Sequence, residues 1–295
     1  MLSTLALFIV WDISPEIVIF HFFNIDFPIT WYGLFFAFSF VVGQPLISYV
    51  FRQENKPASD VDSLTLYVGL ATVVGARVGH FIFYEWEILL AYPVKWLVLL
   101  ITPPFRGLAS HGGGIGIFLG LYLYCRKKPD QPFLWVTDRI AIAVSLGGFI
   151  RLGNFFNSEI YGKPTTLPWG VVFARETDPD LLPLVPRHPT QLYEAVFCLV
   201  LLGLTFYLWK YKRSILPAGA ITGIFMILLF IFRFLIEFLK NNQAAFEGNL
   251  PINMGQILSG MGIIAGIGIL LAAKRNTHFK RTMGISNEDN TCPHY

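Results

Sequence analysis

The chain has 295 residues, is 54% hydrophobic and only 14% charged, and carries a net charge of +3. A soluble globular domain holds about 25% charged residues, so this composition excludes an ordinary water-soluble fold and points to an integral membrane protein. Cys125, Cys198 and Cys292 lie far apart without a CxxC pair, which excludes a disulfide framework.

In chain order, residues 1–28 contain no Lys or Arg and so lack the basic segment that opens a secretory signal. They read as an arm on the outer face, with Met1–Trp11 apolar but too short to span. A bilayer core asks for about 20 apolar residues as helix. The runs 30–51, 62–84, 108–125, 133–153, 190–209, 217–238 and 255–273 meet that requirement. A shorter run, 93–101, is bounded by Pro93 and by Pro103-Pro104 and reads as interfacial or re-entrant. The expectation is one membrane domain over 1–295, all-α and polytopic. It comprises the arm at 1–28, a seven-helix core at 30–273, an outer (periplasmic) connection at 154–189 and a polar cytoplasmic tail at 276–295.

Basic residues set the orientation. One group of loops holds Arg52, Lys56, Arg126, Lys127, Lys128, Lys210, Lys212, Arg213, Lys274, Arg275, Lys280 and Arg281. The other holds Lys95, Arg106, Lys163, Arg175, Arg187 and Lys240 over longer connections. The richer side is expected in the cytoplasm, which puts the N-terminus outside and the C-terminus inside. Tyr32, Arg77, His111, Arg151 to Glu159, Arg187 to Glu194, Arg233, Glu237 and Gln256 then converge on the outer leaflet. An ionisable group in hydrocarbon costs about 3 kcal/mol by insertion scales unless paired or wetted, so such a cluster is a functional-site candidate. Asp138 and Arg139 lie near the other end, where Arg139 is expected to snorkel to the cytoplasm.

Gly112, Gly116 and Gly120 repeat every four residues, as do Gly262 and Gly266. That spacing suits close helix contact in lipid. Gly112 to Gly114 after His111 could instead leave amides open to an anion. The histidines do not sit at metal-ligand spacing with carboxylates, and there is no P-loop, GxGxxG or basic stripe for nucleic acid. No metal, cofactor or nucleic-acid partner is expected.

Seven motifs occur in order: WYG at 31–33, GARVGHFIFY at 75–84, HGGGIG at 111–116, RLGNFFNSEIYG at 151–162, RHPTQLYEA at 187–195, RFLIEF at 233–238 and NMGQILS at 253–259. Together they resemble the prolipoprotein diacylglyceryl transferase family, across nearly the whole chain. The most specific is RLGNFFNSEIYG. The resemblance implies a seven-span enzyme of the bacterial cytoplasmic (inner) membrane, with its site toward the outer leaflet and no cofactor. It implies transfer of the diacylglyceryl group of phosphatidylglycerol to the lipobox cysteine of a prolipoprotein signal peptide. A thioether forms and glycerol phosphate leaves, in the first step of lipoprotein maturation.

That chemistry assigns expected roles. The leaving phosphate needs fixed cations, and a guanidinium is always protonated and binds two oxygens at once. Arg151 and Arg233 are the first choices, with Arg77 behind them. The thiol needs a base, because its ordinary pKa is near 8.5. His111 is the first candidate and Glu237 the runner-up. Tyr32, Asn154, Gly112 and Gly113 are expected to touch phosphatidylglycerol, while Asn157, Glu159, Glu194 and Gln256 orient them from behind. A transporter would show repeat symmetry and midplane charges, and a metal-dependent headgroup enzyme would show clustered carboxylates. The sequence has neither.

Overall fold

The structure, a computed structural model, describes residues 8–22, 25–101, 109–176, 182–241 and 252–282. Parts of the expected arm (1–7 and 23–24), outer connection (177–181) and tail (283–295) lie outside these residues, as do Arg106 and the expected start of the third run at 108.

The chain is mostly helical. Helices α1 (Trp31–Gln53) and α2 (Ala58–Tyr84) are followed by two short helices, α3 (Trp86–Ala91) and α4 (Pro93–Ile101). Next come α5 (Ser110–Lys127), α6 (Phe133–Val144), a 3-10 turn (Ser145–Gly147) and α7 (Gly148–Phe156). The last three are α8 (Thr190–Lys212), α9 (Ala220–Ile236) with a closing 3-10 turn (Glu237–Leu239), and α10 (Met254–Thr282).

Among the described residues, 6 helical segments are long and apolar enough to cross a membrane: 31–53, 58–83, 133–156, 190–212, 220–239 and 254–275. The run expected at 108–125 forms α5, which is not one of the six. Its 18 residues include Ser110, His111, five glycines and a terminal Arg126-Lys127, which dilute its hydropathy. The run expected at 133–153 is divided by the 3-10 turn at the weak helix formers Gly147 and Gly148. The helix of the last run extends well past 273, so its end takes in part of the expected tail.

The all-α expectation misses the strands. Residues of the arm form β1 (Ile9–Trp11), β2 (Glu16–Phe22) and β3 (Ile25–Thr30). β2 and β3 pair antiparallel, with Phe20 opposite Phe27. β1 pairs in parallel with β4 (Val171–Phe173) of the connection at 154–189, Trp11 opposite Phe173. Trp11, Phe155, Tyr161 and Phe173 make a small apolar cluster there. Thr30 caps α1, its Oγ1 accepting from the Gly33 amide at 3.1 Å.

The bundle is inverted relative to a soluble one. Leu66, Leu70 and Val74 on α2, Ile115 and Leu119 on α5, and Ile264 and Leu271 on α10 are all exposed. Apolar side chains outside as well as inside are the mark of a membrane span. The main core gathers at one end, around Phe51, Leu121, Tyr124, Ile142, Trp209 and Ile221.

Buried polar groups at that end are matched. Asp138 accepts from the amides of Gly219 and Thr222, both at 2.8 Å, and so caps α9. Asp60 takes Lys128 at 2.7 Å and the Gln131 amide at 2.5 Å. The snorkelling expected of Arg139 does not occur. Its guanidinium is buried in an ion pair with Glu54 at 2.6 Å and stacks over Trp135. Glu54 lies within reach, so pairing replaces the route to water, and the Trp209 indole donates to the same carboxylate.

Glycines set the closest helix contacts. A Cβ on Gly75 of α2 would lie 2.5 Å from the Gly112 carbonyl and 2.8 Å from Gly116 Cα on α5. On α7, a Cβ at Gly148 would lie 3.0 Å from Cys198 Cβ on α8, and one at Gly153 would lie 2.9 Å from Tyr32 Cα on α1. These two approaches bring α1, α7 and α8 together at the end opposite the main core.

Candidate active site

Arg151 lies one turn beyond Gly148, where α7 touches α8. Its Nε meets Glu194 Oε2 at 2.9 Å. Arg233, from the last turn of α9, reaches Glu194 Oε1 at 3.6 Å and Glu237 Oε1 at 3.3 Å. Lys240, just past the 3-10 turn, contacts the same two oxygens at 2.8 Å and 3.3 Å. Three cations therefore share two carboxylates. Glu194 is 3% exposed and Lys240 2%, so the cluster is shielded from water. Burial pushes the Lys240 ammonium below its ordinary range, and the neighbouring Glu194 carboxylate acts against that.

A second tier holds the arginine. Arg151 Nη1 donates to Asn154 Oδ1 at 3.1 Å, and Asn154 Nδ2 donates to Glu159 Oε1 at 2.9 Å. Burial raises the Glu159 carboxyl above the usual range, with Asn154, Arg151 and Asn157 opposing. Asn157 Oδ1 accepts from the Tyr32 amide at 3.3 Å, and the Tyr32 side chain has Arg151 and Glu159 as charged neighbours. The 157–160 turn is strained, because Ser158 and Ile160 hold φ of 55° and 58°. Non-glycine residues persist there only when their surroundings over-determine them. The start of α8 supplies that constraint: Thr190 Oγ1 donates to the Ile160 carbonyl at 3.1 Å and Gln191 Nε2 to the Glu159 carbonyl at 2.7 Å.

Helix α10 closes the cluster. Asn253 Oδ1 accepts from the Gln256 amide at 2.8 Å, and Gln256 Oε1 accepts from the Asn253 amide at 3.1 Å, a reciprocal N-terminal cap. Asn253 Nδ2 donates to Glu237 Oε2 at 3.3 Å. Gly255 makes room for that carboxylate, since a Cβ there would lie 2.7 Å from Glu237 Cδ. His111, at the start of α5, lies over Phe230, and its charged neighbours are Arg233, Arg151 and Lys240.

The structure thus brings together His111, Arg151, Asn154, Glu159, Glu194, Arg233, Glu237 and Gln256, with Tyr32 and Asn157 behind Arg151. Glu194, expected in a supporting position, is the hub. Arg77 takes other partners: Nη2 donates to the Leu99 carbonyl at 2.7 Å and the guanidinium sits over Phe81, bracing α4. Gly113 is not an open amide, because it donates to the Ala109 carbonyl at 3.0 Å. Gly112 packs on α2, its Cβ position 2.7 Å from Gly79 Cα. Lys240 was missed because it reads as a loop lysine. The available signal was its spacing of three from Glu237.

Several buried polar atoms at the cluster have no hydrogen-bond partner: the donors Arg233 Nε and Gln256 Nε2, the His111 Nε2 nitrogen, and the acceptors Gln191 Oε1 and Glu194 Oε2, the last in ion-pair contact with Arg151. An unmade buried hydrogen bond costs about 1–3 kcal/mol. Among the described residues, no three His, Cys, Asp or Glu side chains gather as a metal ion would require.

Apolar spans around a buried, cation-rich polar cluster define a polytopic membrane protein. The model of the family described as prolipoprotein diacylglyceryl transferase matches residues 18–272, and the chain belongs to that family. It is an integral membrane transferase. Relatives named phosphatidylglycerol–prolipoprotein diacylglyceryl transferase include one from Chloroherpeton thalassium, 40% identical over 93% of this chain and 98% of its own. A second, from Tolumonas auensis, is 43% identical over 83% and 91%. A third, from Porphyromonas gingivalis, is 41% identical over 92% and 97%.

Proposed function

We propose that this protein transfers the diacylglyceryl group of phosphatidylglycerol to the thiol of a prolipoprotein lipobox cysteine. The observation that carries this reading is the pair of unpartnered donors at Arg233 and Gln256, beside Arg151, where three cations share the carboxylates of Glu194 and Glu237. A phosphodiester supplies the acceptors that those groups lack.

The thiol sulfur attacks the glycerol carbon that bears the phosphate oxygen. A carbon–sulfur bond forms, the carbon–oxygen bond breaks, and glycerol phosphate leaves with the electron pair. Arg151 and Arg233 bind the phosphate oxygens, whose negative charge grows as the bond breaks, and Asn154 and Tyr32 hold the headgroup. The thiol proton passes to His111, whose Nε2 is unpartnered. Glu237 is the alternative acceptor, though Arg233, Lys240 and Asn253 already engage it.

The orientation belongs to the same reading. α5 is counted as the third of seven spans, since its glycines seat it along α2. The N-terminus and the Asn157 turn lie outside the cytoplasmic (inner) membrane and the chain's C-terminal end lies inside, following the basic residues of the loops. The whole chain forms one membrane domain. Phosphatidylglycerol then enters from the outer leaflet with its tails left in lipid.

The test is the purified protein with phosphatidylglycerol and a lipobox peptide. Glycerol phosphate should appear only when the peptide carries its cysteine, together with a thioether product. Arg151→Ala should lower turnover at least about 100-fold, the scale of losing a preorganised charge contact. Near wild-type turnover would remove Arg151 from the mechanism, and a tag at Asn157 accessible only from the cytosol would overturn the orientation.

A further inference from the structure

Lys240 is placed by local geometry. Side chains at i and i+3 eclipse in a 3-10 helix. The Glu237–Leu239 turn therefore stacks Lys240 over Glu237 and brings its Nζ within 3.3 Å of Oε1. The outer connection fixes the backbone there, with the Lys163 amide donating to the Leu239 carbonyl at 2.7 Å and Gly162 bridged to Lys240. Lys240 Nζ also reaches Glu194 Oε1 at 2.8 Å, on a different helix.

Arg151 and Arg233 already stand against Glu194 and Glu237, two charges against two. Lys240 adds a third cation to those two carboxylates. It also occupies the same Glu194 and Glu237 oxygens that Arg233 approaches at 3.6 Å and 3.3 Å. Arg233 is accordingly held loosely, with Nε unpartnered.

We propose that Lys240 is a positioning residue for the phosphate. By engaging Glu194 and Glu237 it keeps the guanidinium N–H groups of Arg151 and Arg233 available to the phosphodiester. The third cation meets the substrate's own negative charge and the second one that develops on the leaving phosphate. This inference rests on the reaction proposed above.

The experiment compares wild type, Lys240→Gln, Lys240→Arg and the double variant Lys240→Gln/Glu194→Gln, with phosphatidylglycerol in mixed micelles and a cysteine peptide. Lys240→Gln should raise KM for phosphatidylglycerol about tenfold or more, as loss of substrate binding requires, and lower kcat/KM by more than that because the charge developing on the leaving phosphate is also less well met. Lys240→Arg should return KM to within about threefold of wild type, since the charge is restored. The double variant restores the wild-type charge balance, so its KM should fall between those of Lys240→Gln and wild type. A merely structural lysine would lower the melting temperature and the active fraction and leave KM unmoved, and that result overturns the proposal. If Lys240→Gln does not fold, the other two variants decide: wild-type-like KM for Lys240→Arg with recovery in the double variant supports it, and failure of either to recover overturns it. A wild-type protein that releases no glycerol phosphate with the peptide would instead refute the reaction itself.

Discussion

The HGGG segment after His111 separates two uses of glycine, and alanine substitution can tell them apart. A Cβ at Gly112 would lie 2.7 Å from Gly79 Cα, a backbone atom that cannot rotate away. Carbon atoms pack best about 3.5–4.0 Å apart, so α5 must move from α2 by about 1 Å. Overpacking of this kind costs about 1–3 kcal/mol. The displacement falls one residue from His111, and a 1 Å misplacement near the chemistry can cost about 100-fold in rate. At Gly114 an added Cβ meets nothing within 4 Å, and alanine there gains up to about 1 kcal/mol of helix propensity. Gly112→Ala should therefore lower both the melting temperature in detergent and glycerol phosphate release, the latter about 10- to 100-fold. Gly114→Ala should keep activity within about twofold and melt no lower than wild type. If Gly114→Ala is as damaging as Gly112→Ala, or if Gly112→Ala melts like wild type, helix approach is not what these glycines supply.

Three further outcomes follow from the same geometry. His111→Gln should lower turnover about 100-fold or more, the usual scale of a general base, and flatten the acid limb of the rate–pH profile. An unchanged limb with a barely lower rate would transfer that role to Glu237. Glu54→Ala leaves Arg139 buried without its partner and should cost about 3–5 kcal/mol of stability. Its KM for phosphatidylglycerol should not move, and a Glu54→Leu/Arg139→Leu protein should melt above the single variant. Asp138→Ala removes the acceptor of the Gly219 and Thr222 amides and should destabilise by about 1–2 kcal/mol, as loss of a helix cap does. Thermal denaturation checks both.

Much of the bundle was legible because bilayer thickness writes itself into the chain as long apolar runs. The boundaries at Trp31, Phe133 and Thr190 lie within a residue of those expected. The candidate cluster was legible because Arg151, Glu194, Arg233 and Glu237 are costly in or near hydrocarbon and so stand out against it. What escaped was set by contacts distant in sequence. β1 pairs with β4 across about 160 residues, and nothing in Ile9–Trp11 alone announces a strand. Arg139 looked like a residue bound for water because its partner, Glu54, comes from another helix. The hub role of Glu194 depends on Gly148 letting α7 approach α8, a packing fact with no local signature. Glycine spacing suggested both packing and anion binding, and only the closeness of α2 and α5 separates the two.

The two ends of the bundle differ in a way that bears on function. At the core-rich end each buried charge completes another group. Asp60 takes Lys128 and Gln131, Gln131 Oε1 takes the Tyr124 hydroxyl at 2.8 Å, and Asp138 is filled by an amide pair and the Thr222 hydroxyl. Networks that serve folding alone tend toward such closure, since every unmet buried group weakens the native state. At the other end Arg151, Arg233 and Lys240 crowd the paired carboxylates Glu194 and Glu237, and donors at Arg233 and Gln256 are left unmade. Both ends come from one chain under one folding constraint, so the demands of the bundle do not account for the contrast. The phosphodiester of the proposed reaction accounts for it, supplying acceptors to Arg233 Nε and Gln256 Nε2.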